Sequence, residues 1–160
     1  MKKLWGMAGT VLFWLGWPAW AVYFHFSGVR SRVLVVCDEE ILLVRGWLGT
    51  KRWSLPGGGA KKGEHSVEAA VRELREETGI IIAESSLVHL SAYRHRQRGF
   101  NYSGDIFYVN ISEKPELVLR KTEIWEALWV NIATIKTLQV DDEARLAIRR
   151  YQPRVQASLL

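Results

Sequence analysis

Residues 58–80 read GGAKKGEHSVEAAVRELREETGI. Val67, Ala70, Val71, Leu74 and Thr78 recur there at three- and four-residue spacing. That period predicts a helix over residues 66–78 with one small apolar face that packs on a sheet. Gly79 stands where helices end in a left-handed residue. The opposite face is acidic. Glu73, Glu76 and Glu77 are three and four apart, so a helix gathers their carboxylates on one surface. Acids at a helix C-terminus oppose the macrodipole and repel one another. A solvated face with an Arg72–Glu76 pair leaves that cost in place. A hard divalent cation such as Mg²⁺ removes it, because such ions take oxygen ligands. Gly57, Gly58 and Gly59 precede the helix, where bare backbone approaches a ligand closely.

Outward from the helix, the chain alternates strands and turns. Residues 29–37 (VRSRVLVVC) and 41–45 (ILLVR) flank the turn Asp38-Glu39-Glu40, a predicted hairpin. After the helix, residues 80–82, 87–93, 105–111, 116–119 and 127–130 are strand-like. Residues 94–104 (RHRQRGFNYSG) read as a polar, basic, aromatic loop. A helical turn is expected within 132–138 and an amphipathic helix over 141–151. Strands, a helix, more strands and a helix make a mixed α/β domain.

The chain has 160 residues, enough for one domain with a core. Its net charge is +5, and about +3 without Lys2 and Lys3. No Lys/Arg run or aromatic-basic array points to a nucleic acid polymer. A mild basic excess suits an anionic small molecule or a membrane surface. Cys37 is the sole cysteine, which excludes an internal disulfide and a zinc cluster.

Residues 4–26 contain no Asp, Glu, Lys or Arg and hold four of the eight tryptophans. Their length suits a membrane-crossing helix, with Trp5 and Trp20 at the interfaces. Two alternatives stay open: a cleaved signal peptide with Ala19-Trp20-Ala21 near the cut, or a helix packed on the domain or in an oligomer. Arg30, Arg32, Arg45, Lys51 and Arg52 outnumber Lys2 and Lys3, favouring a cytoplasmic C-terminal domain. The expected organisation is a hydrophobic segment over residues 1–28 and one domain over 29–160. The expected location is a membrane, crossed once.

Five residues separate Gly58 from Glu64, and seven more lead to Arg72-Glu73-Leu74, Arg75, Glu76-Glu77, Thr78 and Gly79-Ile80. This spacing matches every fixed position of the Nudix box, G-x5-E-x7-R-E-U-x-E-E-x-G-U, where U is a bulky aliphatic residue. The chain thus resembles the Nudix hydrolases, less sharply over residues 29–135 as a whole. The resemblance implies an α/β/α sandwich with a mixed sheet, here preceded by the hydrophobic N-terminal helix. It implies hydrolysis of a diphosphate linkage in a nucleoside diphosphate joined to another moiety, with Mg²⁺ or Mn²⁺. By motif position, Glu76 and Glu77 resemble the main metal ligands. Glu73 resembles a further ligand or the general base, and Glu64 an outer ligand or a helper. The Gly57 carbonyl resembles a metal-shell member. Arg72 resembles the residue that orients the glutamates, and its fork suits bidentate pairing. A further catalytic glutamate outside the box is common in the family, on a loop before a late strand. Trp129-Val130 fits that strand, so Glu123 and Glu126 are the candidates, with Glu126 preferred.

Substrate contacts are less legible. Near the places where ADP-ribose and dinucleoside polyphosphate hydrolases carry a Pro and a Tyr, this chain has His95 and Gln97. Coenzyme A and NADH patterns are absent. Arg94, Arg96 and Arg98 suit phosphates, and Trp53, Phe100 and Tyr102 suit base stacking. The expected partner is a small-molecule diphosphate, with a homodimer as a further candidate assembly. Two other readings remain: a nucleotide-binding sensor without turnover, and a hydrolase of a lipid-linked diphosphate.

Overall fold

The structure, a computed structural model, describes residues 29–47, 51–97 and 100–158, without the side chains of 96, 97, 100, 101 and 153–158. The predicted hairpin is present. β1 (Arg30–Cys37) and β2 (Glu40–Gly46) pair antiparallel around a turn in which Asp38 takes φ 54°. Three further strands follow, β3 (Val88–Gln97), β4 (Phe100–Asn110) and β5 (Ile124–Asn131). The sheet order is β3-β4-β1-β2-β5. Only β1 and β4 run parallel, so the sheet is mixed.

Both faces of this sheet are covered, which explains the continuous apolar runs of β1 and β2. Val33, Val35 and Leu42 face α1 (Ser66–Thr78) and pack with Ala70, Leu74 and Ile80. Leu34, Val36, Ile41 and Leu43 face α2 (Asp142–Ser158) and pack with Ala144, Ala147, Ile148 and Tyr151. Successive strand residues thus serve opposite layers. Leu74 has no exposed surface, and burying such a side chain stabilises by about 2 kcal/mol.

The ends of α1 are closed as its sequence suggests. The Glu68 carboxylate accepts from the His65 amide at 2.9 Å in the first turn. Gly79 takes φ 79° and donates to the Arg75 carbonyl at 2.9 Å. Asp141, just before α2, caps it: its carboxylate accepts from the Ala144 amide at 2.8 Å.

Several expectations are corrected. Of the stretch expected as a loop over 94–104, residues 94–97 lie in β3 and 100–104 in β4, with Arg94 opposite Ser103 and His95 opposite Tyr102. Cross-strand pairing decides there, over a polar composition. Residues 80–82 and 116–119 form no strand. The helical turn is a single 3₁₀ turn at Ile135–Thr137. α2 runs seven residues past the expected end at Tyr151. The expected single-pass membrane location is also corrected: no helix among the described residues is long and apolar enough to cross a membrane. The hydrophobic segment that carried it, residues 4–26, lies outside the described residues. Nothing among the described residues supports membrane association or a homodimer.

Candidate active site

The site forms where α1 ends. Its last turn leaves carbonyls without helical partners. The Val118 amide reaches the Thr78 carbonyl at 2.9 Å, and the Arg120 amide reaches that of Glu77 at 3.1 Å. This returning segment docks on the helix end and delivers two charged side chains. Arg120 donates to Glu76 at 2.9 Å, placing a cation at the helix C-terminus, where the macrodipole favours one. Glu123 follows, its amide bonded to the Arg120 carbonyl at 2.9 Å.

Glu73, Glu77 and Glu123 thereby converge, each offering a carboxylate oxygen within 4.8 Å of the others. Three hard oxygen donors at that spacing suit a divalent cation such as Mg²⁺ or Mn²⁺. Glu126, the preferred carboxylate outside the box, is not among them. It lies within β5 opposite Arg45, with which it pairs at 3.6 Å. Glu123 precedes the strand, so the pleat does not dictate its direction. Glu76 faces cations instead: Arg120, Arg72 at 3.6 Å and Lys61 at 4.0 Å.

Glu77 was expected on the open face of the helix, but it is 8% exposed. The Gly57 amide donates to it at 2.8 Å. Burial pushes its carboxyl up to about 7, against the pull of the Gly57 amide and Arg32, with Glu73 and Glu123 adding to the rise. A proton or a cation is therefore favoured there near neutral pH.

Arg72 organises the acidic face. Its Nε and Nη2 grip both oxygens of Glu64 at 2.7 and 2.9 Å, its Nη1 reaches Glu73 at 2.7 Å, and Nη2 reaches the Gly59 carbonyl at 3.0 Å. The hydrogen-bonded guanidinium holds the Glu64 carboxyl down at about 2, despite some desolvation. Glu64 serves the arginine, which orients Glu73.

The glycines before the helix have distinct reasons. Gly57 takes φ 135°, and a Cβ there would lie 2.1 Å from the Ser31 carbonyl. A Cβ on Gly58 would lie 2.6 Å from the Glu73 carboxyl carbon. The Gly57 carbonyl, expected in a metal shell, accepts from the Arg32 guanidinium.

A second polar cluster lies on the α2 side of the sheet. Arg32 lies 3.8 Å from Glu143, which accepts from the Tyr102 hydroxyl at 2.9 Å. Burial raises the Glu143 carboxyl, but Arg32, Tyr102, Arg30 and His95 outweigh it and lower the balance. The His95 ring stacks on Tyr102 at 4.8 Å. A cleft of about 350 Å³ opens beside them, lined by Tyr93, Arg94, His95, Glu143 and Arg149 among others. Of the expected substrate contacts, Arg94 lines this cleft and Tyr102 sits behind it. Trp53 does not stand open for a base. It is 8% exposed, packed in the core, with Arg45 4.1 Å over its ring. Arg98 and the side chains of Arg96 and Phe100 lie outside the described residues. Sequence reading missed Arg32, Arg120 and Glu143, whose roles depend on contacts across at least 25 residues of chain. The β-branched run after Arg32 marked only a strand.

Comparison with known proteins agrees with this arrangement. A model of the NUDIX domain matches residues 28–151. Nudix hydrolase 6 of Arabidopsis thaliana is 35% identical over 115 residues, which cover 68% of this chain and 40% of that protein. An RNA pyrophosphohydrolase of Ruthia magnifica subsp. Calyptogena magnifica is 29% identical over 101 residues, covering 62% and 53%. The chain thus spans about half or less of the length of these relatives. The crystal structure of a MutT NUDIX hydrolase from Burkholderia pseudomallei superposes with a TM-score of 0.69 at 20% identity, covering 77% of this chain and 96% of that one. That likeness concerns the fold. With the domain match spanning most of its length, the chain belongs to the Nudix hydrolase family.

Proposed function

We propose that the domain, residues 29–160, hydrolyses the diphosphate linkage of a nucleoside diphosphate joined to another moiety, with Mg²⁺ as cofactor. The observation that supports this most is the convergence of Glu73, Glu77 and Glu123 within 4.8 Å beside a helix end. Glu73 and Glu77 would hold the cation with Glu123 beside it, and Glu76 is near enough in sequence to add to the charge. When bound, the cation neutralises phosphate oxygens and makes water a better nucleophile near neutral pH.

The remaining work falls to the chain's own residues. Arg72 fixes Glu73 by a charge-assisted bond, and Glu64 fixes Arg72. The Gly57 amide holds Glu77. Glu123 has a side chain 47% exposed, so it meets solvent at the mouth of the cluster and is suited to take a proton from the attacking water. The water oxygen bonds to one phosphorus and the bridging P–O bond breaks. The products are a nucleoside monophosphate and a phosphorylated remainder. Arg94 in the cleft is suited to phosphate contact.

The test is product release from a panel of nucleoside diphosphate derivatives with Mg²⁺. The panel should include 5′-pyrophosphorylated RNA, because one relative is named an RNA pyrophosphohydrolase. Turnover of at least one compound, lost with a chelator, is the expected result. Silence across the panel together with ligand-induced thermal shifts would favour a nucleotide-binding role.

A further inference from the structure

The segment 56–58 runs beside β1 as a short strap. The Val33 amide donates to the Pro56 carbonyl at 3.0 Å, and the Ser31 amide donates to that of Gly58 at 2.8 Å. The Gly57 carbonyl between them accepts no main-chain bond from β1. The Arg32 side chain holds it instead, through Nη1, which also lies 3.4 Å from the Leu55 carbonyl. This matters because the strap touches the two less exposed members of the carboxylate cluster, Glu73 and Glu77. The Gly57 amide bonds Glu77 at 2.8 Å, and Gly58 lies so close to Glu73 that a Cβ would meet its carboxyl. With two adjacent glycines, the peptide between them has no side chain to restrain it.

Arg32 is itself braced. Its side chain is 13% exposed, and the counter-charge comes from Glu143 of α2, 9% exposed and 3.8 Å away. A buried guanidinium needs such a partner, because desolvation alone would make it costly. Glu143 in turn is fixed by the Tyr102 hydroxyl. A line of contacts thus runs from α2 through β1 to the glycine strap and the carboxylates on the other side of the sheet.

We propose that Arg32 is a positioning residue for the hydrolytic site, acting through the Gly57 carbonyl on Glu73 and Glu77, with Glu143 holding it in place. The inference rests on the proposed metal site at those glutamates. The Arg32 hydrogen bonds go to the Gly57 and Leu55 carbonyls and not to Glu73 or Glu77, and Arg32 does not line the cleft beside Arg94. Its loss should act on metal affinity and kcat and leave KM in place.

The test compares wild type, Arg32→Met, Arg32→Lys and Glu143→Gln. Mn²⁺ binding is read from the paramagnetic resonance of free Mn²⁺, alongside melting temperature and steady-state kinetics. Arg32→Met keeps the apolar stem and should weaken Mn²⁺ binding and kcat by about 10- to 100-fold, the usual effect of losing a group that orients ligands. KM should stay within about twofold. Arg32→Lys should recover part of the loss, because an ammonium reaches one carbonyl but not two. Glu143→Gln should move both quantities the same way by less, and it carries the test if Arg32→Met does not fold. A folded Arg32→Met with wild-type Mn²⁺ affinity and kcat overturns the inference, even if its melting temperature falls. So does wild-type behaviour of Glu143→Gln where Arg32→Met is unfolded. Absence of Mn²⁺ binding and turnover in the wild type overturns the proposed function, and this inference with it.

Discussion

The amide of Gly57 donates to the carboxylate of Glu77 at 2.8 Å, inside a site where Glu77 is almost out of solvent. A residue at the C-terminal end of a helix is thus clamped by backbone from a distant strap. Glu77→Gln keeps an acceptor for that amide and removes the charge. The variant should retain the fold and its melting temperature within a few degrees. Turnover should fall by at least about 100-fold, more than for loss of a group that only orients a metal ligand. Kinetics with Mg²⁺ and a thermal melt check both parts.

Glu77 also predicts a pH dependence. Its carboxyl is pushed from its ordinary 4.5 up to about 7, chiefly by burial. The folded state therefore holds a proton that the unfolded state releases between those values. In metal-free protein, this stabilisation is complete below pH 4.5 and is lost as the pH rises to 7. The difference in melting temperature between wild type and Glu77→Gln should shift against the wild type across that window. Comparing the two removes Asp141, which burial also raises, to about 6. Added Mg²⁺ should stabilise more at pH 8 than at pH 6, because it competes with that proton.

Glu123 and Glu126 are separable. Glu123 joins the carboxylate cluster, whereas Glu126 pairs with Arg45 across the sheet. Glu123→Gln should lower kcat by about 100-fold or more, within the usual contribution of general-base catalysis. Glu126→Gln should have a much smaller effect. An equal or larger loss in Glu126→Gln, measured with the same substrate, would overturn the assignment.

Gly58→Ala places a methyl group 2.6 Å from the Glu73 carboxyl carbon. Glu73 must then move, which strains its bond to Arg72. Metal affinity should fall by about 10- to 100-fold. Gly59→Ala, where a Cβ meets nothing within 4 Å, should bind metal as the wild type does. Mn²⁺ titration of the two variants distinguishes local crowding from general loop damage.

Much of the fold was readable because local rules agreed with one another. The α1 boundaries followed from the apolar period and Gly79. The β1–β2 hairpin followed from two β-branched runs around an acidic turn. Reading failed at 94–104, where Arg, His and Gln suggested a loop. Those residues sit on paired strands because Tyr102, Ser103 and Asn101 bond opposite them. It failed also at Trp53, which composition offered as a base stacker and packing placed in the core.

By itself, the sequence determined the reaction family and the acidic helix, since fixed spacing along one helix sets which carboxylates are neighbours. It could not place Glu77 under the Gly57 amide or set Glu123 ahead of Glu126. Nor could it show Arg32 bracing a strap 25 residues away. Those relations are contacts between elements remote in the chain. Only packing of the returning segment on α1, and of α2 on the sheet, brings the groups to bonding distance.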